Sequence, residues 1–228
     1  MSDPAERNWL GLLLFGVLIN RYGFGIPDSE ALPRIMKLVR EGANINARDH
    51  LRRTPAMRCC EGNGHHVILY FLIASGADVE ATSIFSETAL HVATKANDLK
   101  CVLLLLKQGV SVDRVSRSGV TALWSACYGG YHDIISLLLE YGANPTIKHN
   151  SKLPRYSSFK GFTPRDAAIW RDHDLVARYM DTETRDYNWR RRYFYARLLQ
   201  SVKGAPTDNA AIRMLQCDDL ARAIGSYL

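Results

Sequence analysis

Two cysteines and two histidines stand close together in the first third of the chain, and these residue types carry much of the chemistry of proteins. Cys59-Cys60 and His65-His66 are separated by four residues. Thiolate and imidazole are the usual ligands of zinc, so the spacing is compatible with a metal site. A cysteine with a histidine is also a nucleophilic pair, although that chemistry needs a third, orienting group in a cleft. Which reading holds depends on the elements that position these side chains.

Those elements follow a repeat of about 33 residues. A glycine after an apolar run recurs at Gly42, Gly76, Gly109 and Gly142, at intervals of 34, 33 and 33 residues. Threonines recur at Thr54, Thr88, Thr121 and Thr163, at intervals of 34, 33 and 42 residues. Threonine caps the first free amides of a helix, and glycine supplies the left-handed residue that ends one. A period of this length predicts a solenoid of stacked helices.

The repeat resembles that of the ankyrin-repeat family from roughly Ala31 to Met180. The resemblance is carried by the family's TPLHxA opening, its pair of small residues, its glycine turn and its closing LLxxGA motif. In this chain the segments that match the opening are Thr54-Pro55-Ala56, Thr88-Ala89-Leu90-His91, Thr121-Ala122-Leu123-Trp124 and Thr163-Pro164. It implies an all-α solenoid of stacked ankyrin repeats, in which each helix-turn-helix carries a β-turn finger. We expect an N-terminal helical cap and partial repeat in residues 1–48, four repeats in 49–183, and a C-terminal helical extension in 184–228.

The repeat frame gives the cysteines and histidines structural roles. The family packs neighbouring helices closely at its small-residue pair, where Cys59 and Cys60 stand, and His65 follows Gly64 at the family's Gly-His turn. His91 matches the histidine of the TPLHxA motif, and we expect it to form structural hydrogen bonds. The sequence therefore predicts no metal site, no catalytic residue and no cofactor. The fourth repeat departs from the pattern with Ala168-Ile169, so looser or locally rearranged packing is expected there.

The N-terminal region contains an uncharged apolar run from Trp9 to Ile19. A membrane-spanning helix needs about 20 apolar residues, so the run is too short, and it lacks the basic leader and cleavage site of a secretory signal. We interpret it as the first helix of the cap, paired with a second helix from about Ala31 to Glu41. An interfacial or dimerising helix is the alternative.

The composition fits an intracellular repeat protein. Of 228 residues, 47% are hydrophobic and 23% are charged, and the five cysteines lack the spacing of a disulfide framework. Because disulfides are rare in reducing compartments, we expect the protein in the cytoplasm, with the nucleus as the alternative.

The resemblance implies that binding takes place on the concave surface made by the fingers and the first helix of each repeat. Apolar fingertips are costly in water unless something covers them, and aromatic residues beside arginine are typical of binding hot spots. The candidate partner-binding residues are Leu51, Arg53, Ile84, Phe85, Arg117, Tyr128, Phe159, Phe162, Trp170 and Arg171. The alternative is that some of these side chains fold against a neighbouring finger or under an insertion.

One finger is longer than the others. Thr121 and Thr163 are 42 residues apart where 33 are expected, which places about nine extra residues near 149–157. Basic residues in and beside this insertion favour an acidic partner: Lys148, Lys152, Arg155 and Lys160. A tolerated surface loop is the alternative, because long insertions cost little free energy.

The formal net charge of +6 is concentrated in residues 151–203, which hold 12 Lys/Arg against 6 Asp/Glu. Within the C-terminal extension an arginine patch stands among aromatic residues: Arg185, Arg190, Arg191, Arg192 and Arg197. We interpret this segment as a capping helix with its arginines in solvent. The alternative is binding to nucleic acid or an anionic membrane.

The function that these patterns favour is a non-enzymatic protein-interaction module or adaptor. A ubiquitin-ligase substrate adaptor is a further alternative, since the chain end weakly resembles a suppressor-of-cytokine-signalling box. That box opens with a leucine followed four residues later by a cysteine and closes through a Leu-Pro pair, and Leu198 to Leu228 has neither.

Overall fold

The computed structural model describes residues 4–18, 28–61, 65–150, 158–185 and 187. The chain divides into two units, Met1–Met180 and Asp181–Leu228. In the second unit, residues 181–185 and 187 are helical. The architecture below is that of the first unit.

Helices alternate along the first unit in two rows. Their bounds are α1 Pro4–Leu18, α2 Asp28–Arg40, α3 Pro55–Cys59, α4 His66–Ala74, α5 Ala89–Lys95, α6 Leu99–Lys107, α7 Ala122–Gly129, α8 His132–Glu140 and α9 Pro164–Trp170. A further helical segment begins at residue 174. The first helices α1, α3, α5, α7 and α9 pack on one another in turn, and the second helices α2, α4, α6 and α8 do the same. The described ranges contain helices, turns and bends and no strand, as expected for a stacked-helix solenoid.

Local signals explain where these helices begin and end. The hydroxyls of Thr54, Thr121 and Thr163 each accept a hydrogen bond from the amide three residues later, which caps α3, α7 and α9. The second helices are followed by glycines in the left-handed region, with φ between 72° and 92°: Gly42, Gly76, Gly109 and Gly142. Other residues rarely adopt this φ, so the repeated glycine sets the end of each second helix.

The small-residue pair lies where the two rows of helices meet. Six of these side chains are fully buried: Cys59, Cys60, Ala93, Thr94, Ala126 and Cys127. In the fourth repeat Ala167 and Ala168 are the buried pair, whereas Ile169 is 44% exposed. The small pair thus shifts by one residue in α9, and the large side chain points away from the stack rather than overpacking it.

The first helix pair lies ahead of Thr54. Leu14, Phe15 and Leu18 bury one face of α1, and Trp9 and Leu13 are exposed on the other. Gly11 sits so close to the turn at Ala47 that an added Cβ would lie 2.6 Å from the Ala47 Cβ. Among the helices of the described ranges, none is long and apolar enough to cross a membrane.

Candidate functional site

Four turns project from the stack between each second helix and the next first helix, and we number them as fingers. Finger 1 is 49–53, finger 2 is 83–87, finger 3 is 116–120 and finger 4 is 149–162. Each closes through an amide of its first residue and a carbonyl of its last: Asp49 to Arg53 at 3.1 Å, Ser83 to Glu87 at 3.0 Å, Ser116 to Val120 at 2.9 Å and His149 to Phe162 at 2.7 Å. Finger 4 makes the same closure around a loop about nine residues longer.

Backbone hydrogen bonds also join each finger to the next. The amides of Ile84 and Arg117 donate to the carbonyls of Leu51 and Phe85, at 3.0 and 2.8 Å. The amide of Asn150 donates to the carbonyl of Gly119 at 3.2 Å. The candidate residues at the fingertips therefore stand in one connected row.

Finger 1 is organised around a carboxylate. Asp49 accepts the amides of Leu51 and Arg53 at 2.9 and 2.8 Å, and its second oxygen accepts the Arg53 guanidinium. Burial would raise the pKa of Asp49, but the hydrogen bonds and charge of Arg53 outweigh burial and lower it. Arg53 also donates to Glu61 at 2.7 Å. The guanidinium of Arg53 is thus held by two carboxylates of its own repeat, and its predicted contact with a partner stays a prediction.

In finger 2 a hydroxyl accepts the amides of the turn, and the apolar tip is exposed to solvent. Ser83 Oγ accepts the amides of Phe85 and Glu87, at 3.2 and 3.4 Å. Ile84 is 38% exposed and Phe85 is 43% exposed, whereas Leu51 of finger 1 is half-buried. Finger 2 therefore presents the two exposed apolar side chains that the sequence placed at its tip.

Six aromatic side chains meet where finger 4 lies on α7 and α9, and we call them the aromatic cluster: Trp124, Tyr128, His149, Phe159, Phe162 and Trp170. Trp124 is only 7% exposed. Its ring centroid is 5.3 Å from that of Tyr128, in a stacked arrangement, and 5.3 Å from that of His149. Phe159 presents an edge to Trp124 at 5.9 Å. Edge and offset contacts at these distances are the favourable geometries of aromatic pairs.

The aromatic cluster extends toward solvent along α9. Phe159 also meets Phe162 at 5.9 Å and Trp170 at 5.6 Å, in both cases edge to face. Phe159 and Phe162 are half-buried, whereas Trp170 is 57% exposed. Phe159 therefore packs on α7 and α9, and Phe162 packs on Phe159 and Trp170, while Trp170 remains accessible. Partner binding by the two phenylalanines stays a prediction.

The cations around finger 4 differ from those of the first two repeats. The guanidinium of Arg171 lies over the ring of Tyr128, 4.9 Å from its centroid. Arg117, Lys148 and Lys160 are exposed, and within the described ranges no carboxylate forms an ion pair with them or with Arg171. In finger 2, by contrast, Lys95 is paired with Glu87.

A hollow of about 320 Å³ opens beside the aromatic cluster. Its lining combines rings with a few polar groups: Lys95, Ser118, Val120, Trp124, Ser125, Tyr128, Gly129, Tyr131, His149 and Phe159. A concave, largely aromatic surface with a few polar groups is the composition of small binding sites in proteins.

Sequence reasoning did not single out Trp124 or His149 as site residues. Trp124 occupies the third position after the capping threonine, where His91 stands in the second repeat, and His149 begins its finger where Asp49 and Ser83 begin theirs. The feature of the sequence that could have identified them is a large ring at each of these two positions of the repeat.

His91 joins neighbouring repeats. Its Nδ1 lies 2.9 Å from the Thr88 hydroxyl and 3.3 Å from the Thr88 amide, and its Nε2 lies 3.2 Å from the carbonyl of Val120. Burial lowers the pKa of His91, although the bond to Val120 opposes this shift. The buried imidazole thus caps α5 and contacts the end of finger 3.

Three of the four residues that suggested metal or nucleophile chemistry, Cys59, Cys60 and His65, are buried, and His66 is half-buried. Cys59, Cys60, Cys101 and Cys127 are buried and free, and burial raises the pKa of the Cys59 and Cys127 thiols. His65 is buried with its Nδ1 2.6 Å from an oxygen of Asp28. In the part of the chain that the structure describes, no three His, Cys, Asp or Glu residues are grouped to hold a metal ion.

The predicted arginine patch lies mostly outside the described residues. Arg185 is exposed in a helical segment, while Arg190, Arg191, Arg192 and Arg197 are among the residues that the structure does not describe. Binding of nucleic acid or an anionic membrane by this patch stays a prediction.

Comparisons with known proteins agree on the repeat. A family model described as ankyrin repeats (3 copies) matches residues 29–116 and 57–149. The chain is 30% identical over 188 residues to the ankyrin repeat and KH domain-containing protein mask-1 of Caenorhabditis elegans, which covers 82% of this chain and 7% of that protein. It is 28% identical over 122 residues to human ankyrin repeat domain-containing protein 37, which covers 54% of this chain and 75% of that protein.

A viral protein is similar over a shorter stretch. The putative ankyrin repeat protein FPV031 of fowlpox virus is 32% identical over 136 residues, covering 58% of this chain and 38% of the viral protein. This chain thus spans a small fraction of mask-1, about a third of the viral protein and most of the human one.

Proposed function

The chain belongs to the ankyrin-repeat family, and from that premise we propose that it binds a segment of a partner protein along its fingers and first helices. Ankyrin repeats generally mediate protein–protein interaction, and the family is typically non-enzymatic. In our proposal the chain is an interaction module or adaptor without a catalytic role.

The observation that carries this proposal is the exposure of large apolar side chains along the connected row of fingers and on α9. Ile84, Phe85 and Trp170 are all more than a third exposed. Apolar side chains at turn tips are unfavourable in water unless a partner covers them, so their positions support a binding surface. Because the fingers are already tied to one another, binding there costs little conformational entropy.

We further propose that the protein works in a reducing compartment, the cytoplasm or alternatively the nucleus. Four cysteines are free and buried at close-packed positions of the repeat. Free buried thiols are typical of intracellular proteins, and this observation supports the proposal.

A capture experiment with two matched double variants tests the binding surface. The finger variant is Ile84→Ala with Phe85→Ala, and the control is Val67→Ala with Tyr70→Ala on α4, which removes exposed apolar side chains from a second helix instead. We expect the wild type and the control to capture the same proteins from a cell extract at low and high salt. The finger variant should lose those that persist at high salt.

The salt dependence separates this proposal from the arginine-patch alternative. Binding through arginines to phosphates weakens steeply as ionic strength rises, whereas apolar contacts persist. If the finger variant kept every partner while the triple variant Arg190→Ala, Arg191→Ala, Arg192→Ala lost them all, the finger surface would be the wrong site.

A further inference from the structure

We infer that the hollow beside finger 4 is a peptide site that takes an acidic segment carrying one large apolar side chain. This inference rests on the proposed function and narrows it to the third and fourth repeats. Three observations lead to it: the size and lining of the hollow, the cations around it that form no ion pair among the described residues, and the position of Arg171.

The hollow fits one anchor side chain. Its volume of about 320 Å³ lies at the lower end of the range for binding pockets. Rings of Trp124, Tyr128 and Phe159 line it, and the one lysine among its lining residues, Lys95, is already paired with Glu87. An aromatic or large aliphatic side chain would therefore bury apolar surface there without leaving a charge unpaired.

The charges around the hollow select an acidic segment. Three cations of the first two repeats, Arg53, Arg58 and Lys95, form ion pairs with carboxylates of the same molecule. Around finger 4 the described carboxylates form no ion pair with Arg117, Lys148, Lys160 or Arg171. A partner with carboxylates on either side of its anchor would complement this excess of positive charge.

The carboxylate of Asp166 caps a helix, so it is not free to neutralise the positive charge of these cations. Its Oδ2 lies 2.9 Å from the amide and 2.8 Å from the hydroxyl of Thr163, at the start of α9. Its other oxygen lies 4.0 Å from the guanidinium of Arg165. The carboxylate at the start of α9 is therefore engaged at the end of its own helix, while the side chains of Arg117, Lys148, Lys160 and Arg171 are exposed.

Arg171 is positioned to bind a carboxylate at the rim. Its guanidinium lies over Tyr128, whose ring lines the hollow. A guanidinium that stacks on a ring keeps the N–H donors of its edge available, and these donors match the two oxygens of a carboxylate. The ring holds the cation in place before binding, which reduces the entropy lost when a carboxylate arrives.

Selection from a random peptide library on the purified 228-residue chain tests the inference. We expect the selected peptides to share one aromatic or large aliphatic residue flanked by Asp or Glu. A synthetic peptide with that consensus should bind the wild type, and its affinity should fall about tenfold or more when its acidic residues are changed to Gln or Asn.

Two exposed positions allow the site to be altered without disturbing the core. Arg171→Glu reverses the charge at the rim, and Trp170→Ala removes an exposed ring. Each should weaken binding of the consensus peptide about tenfold. Arg171→Lys should have an intermediate effect, because it keeps the positive charge and loses the paired N–H donors of the guanidinium. The control Val67→Ala with Tyr70→Ala should bind as the wild type does.

The outcomes distinguish failure of this inference from failure of the proposed function. Two outcomes would overturn the inference and leave finger binding standing. One is that the selected peptides contain no acidic residues. The other is that their binding is abolished by Ile84→Ala with Phe85→Ala but is unaffected by Arg171→Glu. A selection that yields no peptide above background would count against both. Stronger binding of a labelled single-stranded oligonucleotide than of any selected peptide, sensitive to Arg171→Glu, would assign the site to nucleic acid instead.

Discussion

Finger 1 and finger 4 make the same backbone closure with opposite chemistry. In finger 1 a carboxylate, Asp49, gathers the amides of its turn and the guanidinium of Arg53. In finger 4 the equivalent first residue is His149, whose ring packs on Trp124 and Phe159. Asp49 and Arg53 of finger 1 are bound to each other within the repeat, whereas finger 4 packs through rings, and among the described residues no carboxylate forms an ion pair with Lys148 or Lys160.

This difference separates the features that are common to the repeats from those that are specific to one finger. The closure and the ties between fingers are common to both regions, so they belong to the repeat frame. The aromatic cluster and the longer loop occur at finger 4, and they coincide with the hollow and with cations that form no ion pair among the described residues. We expect the first region to contribute mainly to stability and the second to contribute also to recognition.

The largest expected effect is the loss of Trp124, the buried ring at the centre of the aromatic cluster. Trp124→Ala should lower the free energy of unfolding by about 3–5 kcal/mol, because it leaves a cavity where three rings now meet. Phe85→Ala, at an exposed fingertip, should change it by less than about 0.5 kcal/mol. Urea denaturation of both variants checks this, and equal losses would show that the aromatic cluster does not stabilise finger 4.

Removing the carboxylate of finger 1 should have the next largest effect. Asp49→Ala leaves two turn amides and the Arg53 guanidinium without that acceptor, so we expect a loss of about 1–3 kcal/mol in unfolding free energy. Asp49→Asn keeps an acceptor for the amides and should cost less. Because the pKa of Asp49 is lowered by folding, its contribution is present at neutral pH and is lost on acidification below the usual aspartate range.

Two buried histidines, His91 in α5 and His149 in finger 4, should make stability depend on pH. Burial lowers the pKa of His91 and of His149, so the unfolded chain takes up these protons more readily than the folded one. Their contribution is therefore complete above the unperturbed histidine pKa of about 6.5 and declines as pH falls through it. His91→Gln should cost about 1 kcal/mol at neutral pH through the lost helix cap.

Thermal unfolding across this pH range measures the effect. We expect His91→Gln and His149→Phe each to give a shallower fall in stability on acidification than the wild type. A slope unchanged in both variants would mean that neither histidine is held neutral by its surroundings, which would contradict their burial as the cause of the shift.

The smallest expected effect is that of replacing residues 151–157 by Gly and Ser at equal length. The base of finger 4 is held by hydrogen bonds of His149 with Gly161 and Phe162, which this change leaves in place. Unfolding free energy should change by less than about 0.5 kcal/mol. A larger loss in urea denaturation would show that the replaced residues take part in the packing of the finger.

The repeat frame could be predicted from the sequence because its signals are local. A capping threonine and a terminal glycine act within one helical turn, and so Thr54, Thr121 and Gly76 mark helix ends wherever they occur. The small-residue pair was recognisable for the same reason, although its shift to Ala167-Ala168 is seen only in which side chains of α9 the fold buries.

The arrangement of the candidate site was harder to predict, because its contacts cross between elements. Phe159 and Trp170 were recognised as residues of one surface, but nothing periodic states that Trp124 and His149 would pack against them. In the same way, the sequence showed Arg53 as an available cation, and only the fold brings Asp49 and Glu61 to it. Partner binding at the candidate residues stays a prediction that the variants above can test.

The hydrogen bonds between neighbouring fingers also determine what kind of sequence change the protein tolerates. Register between fingers 3 and 4 is set at Gly119 and Asn150, next to the first residue of the longer loop, and the loop returns to the stack at Gly161. Residues inserted between Asn150 and Gly161 leave the spacing of the helices unaltered. Insertions between Asn150 and Gly161 should therefore be a ready route to new specificity during divergence, whereas an insertion of one residue between Ser116 and Gly119 would displace the carbonyl that accepts the Asn150 amide.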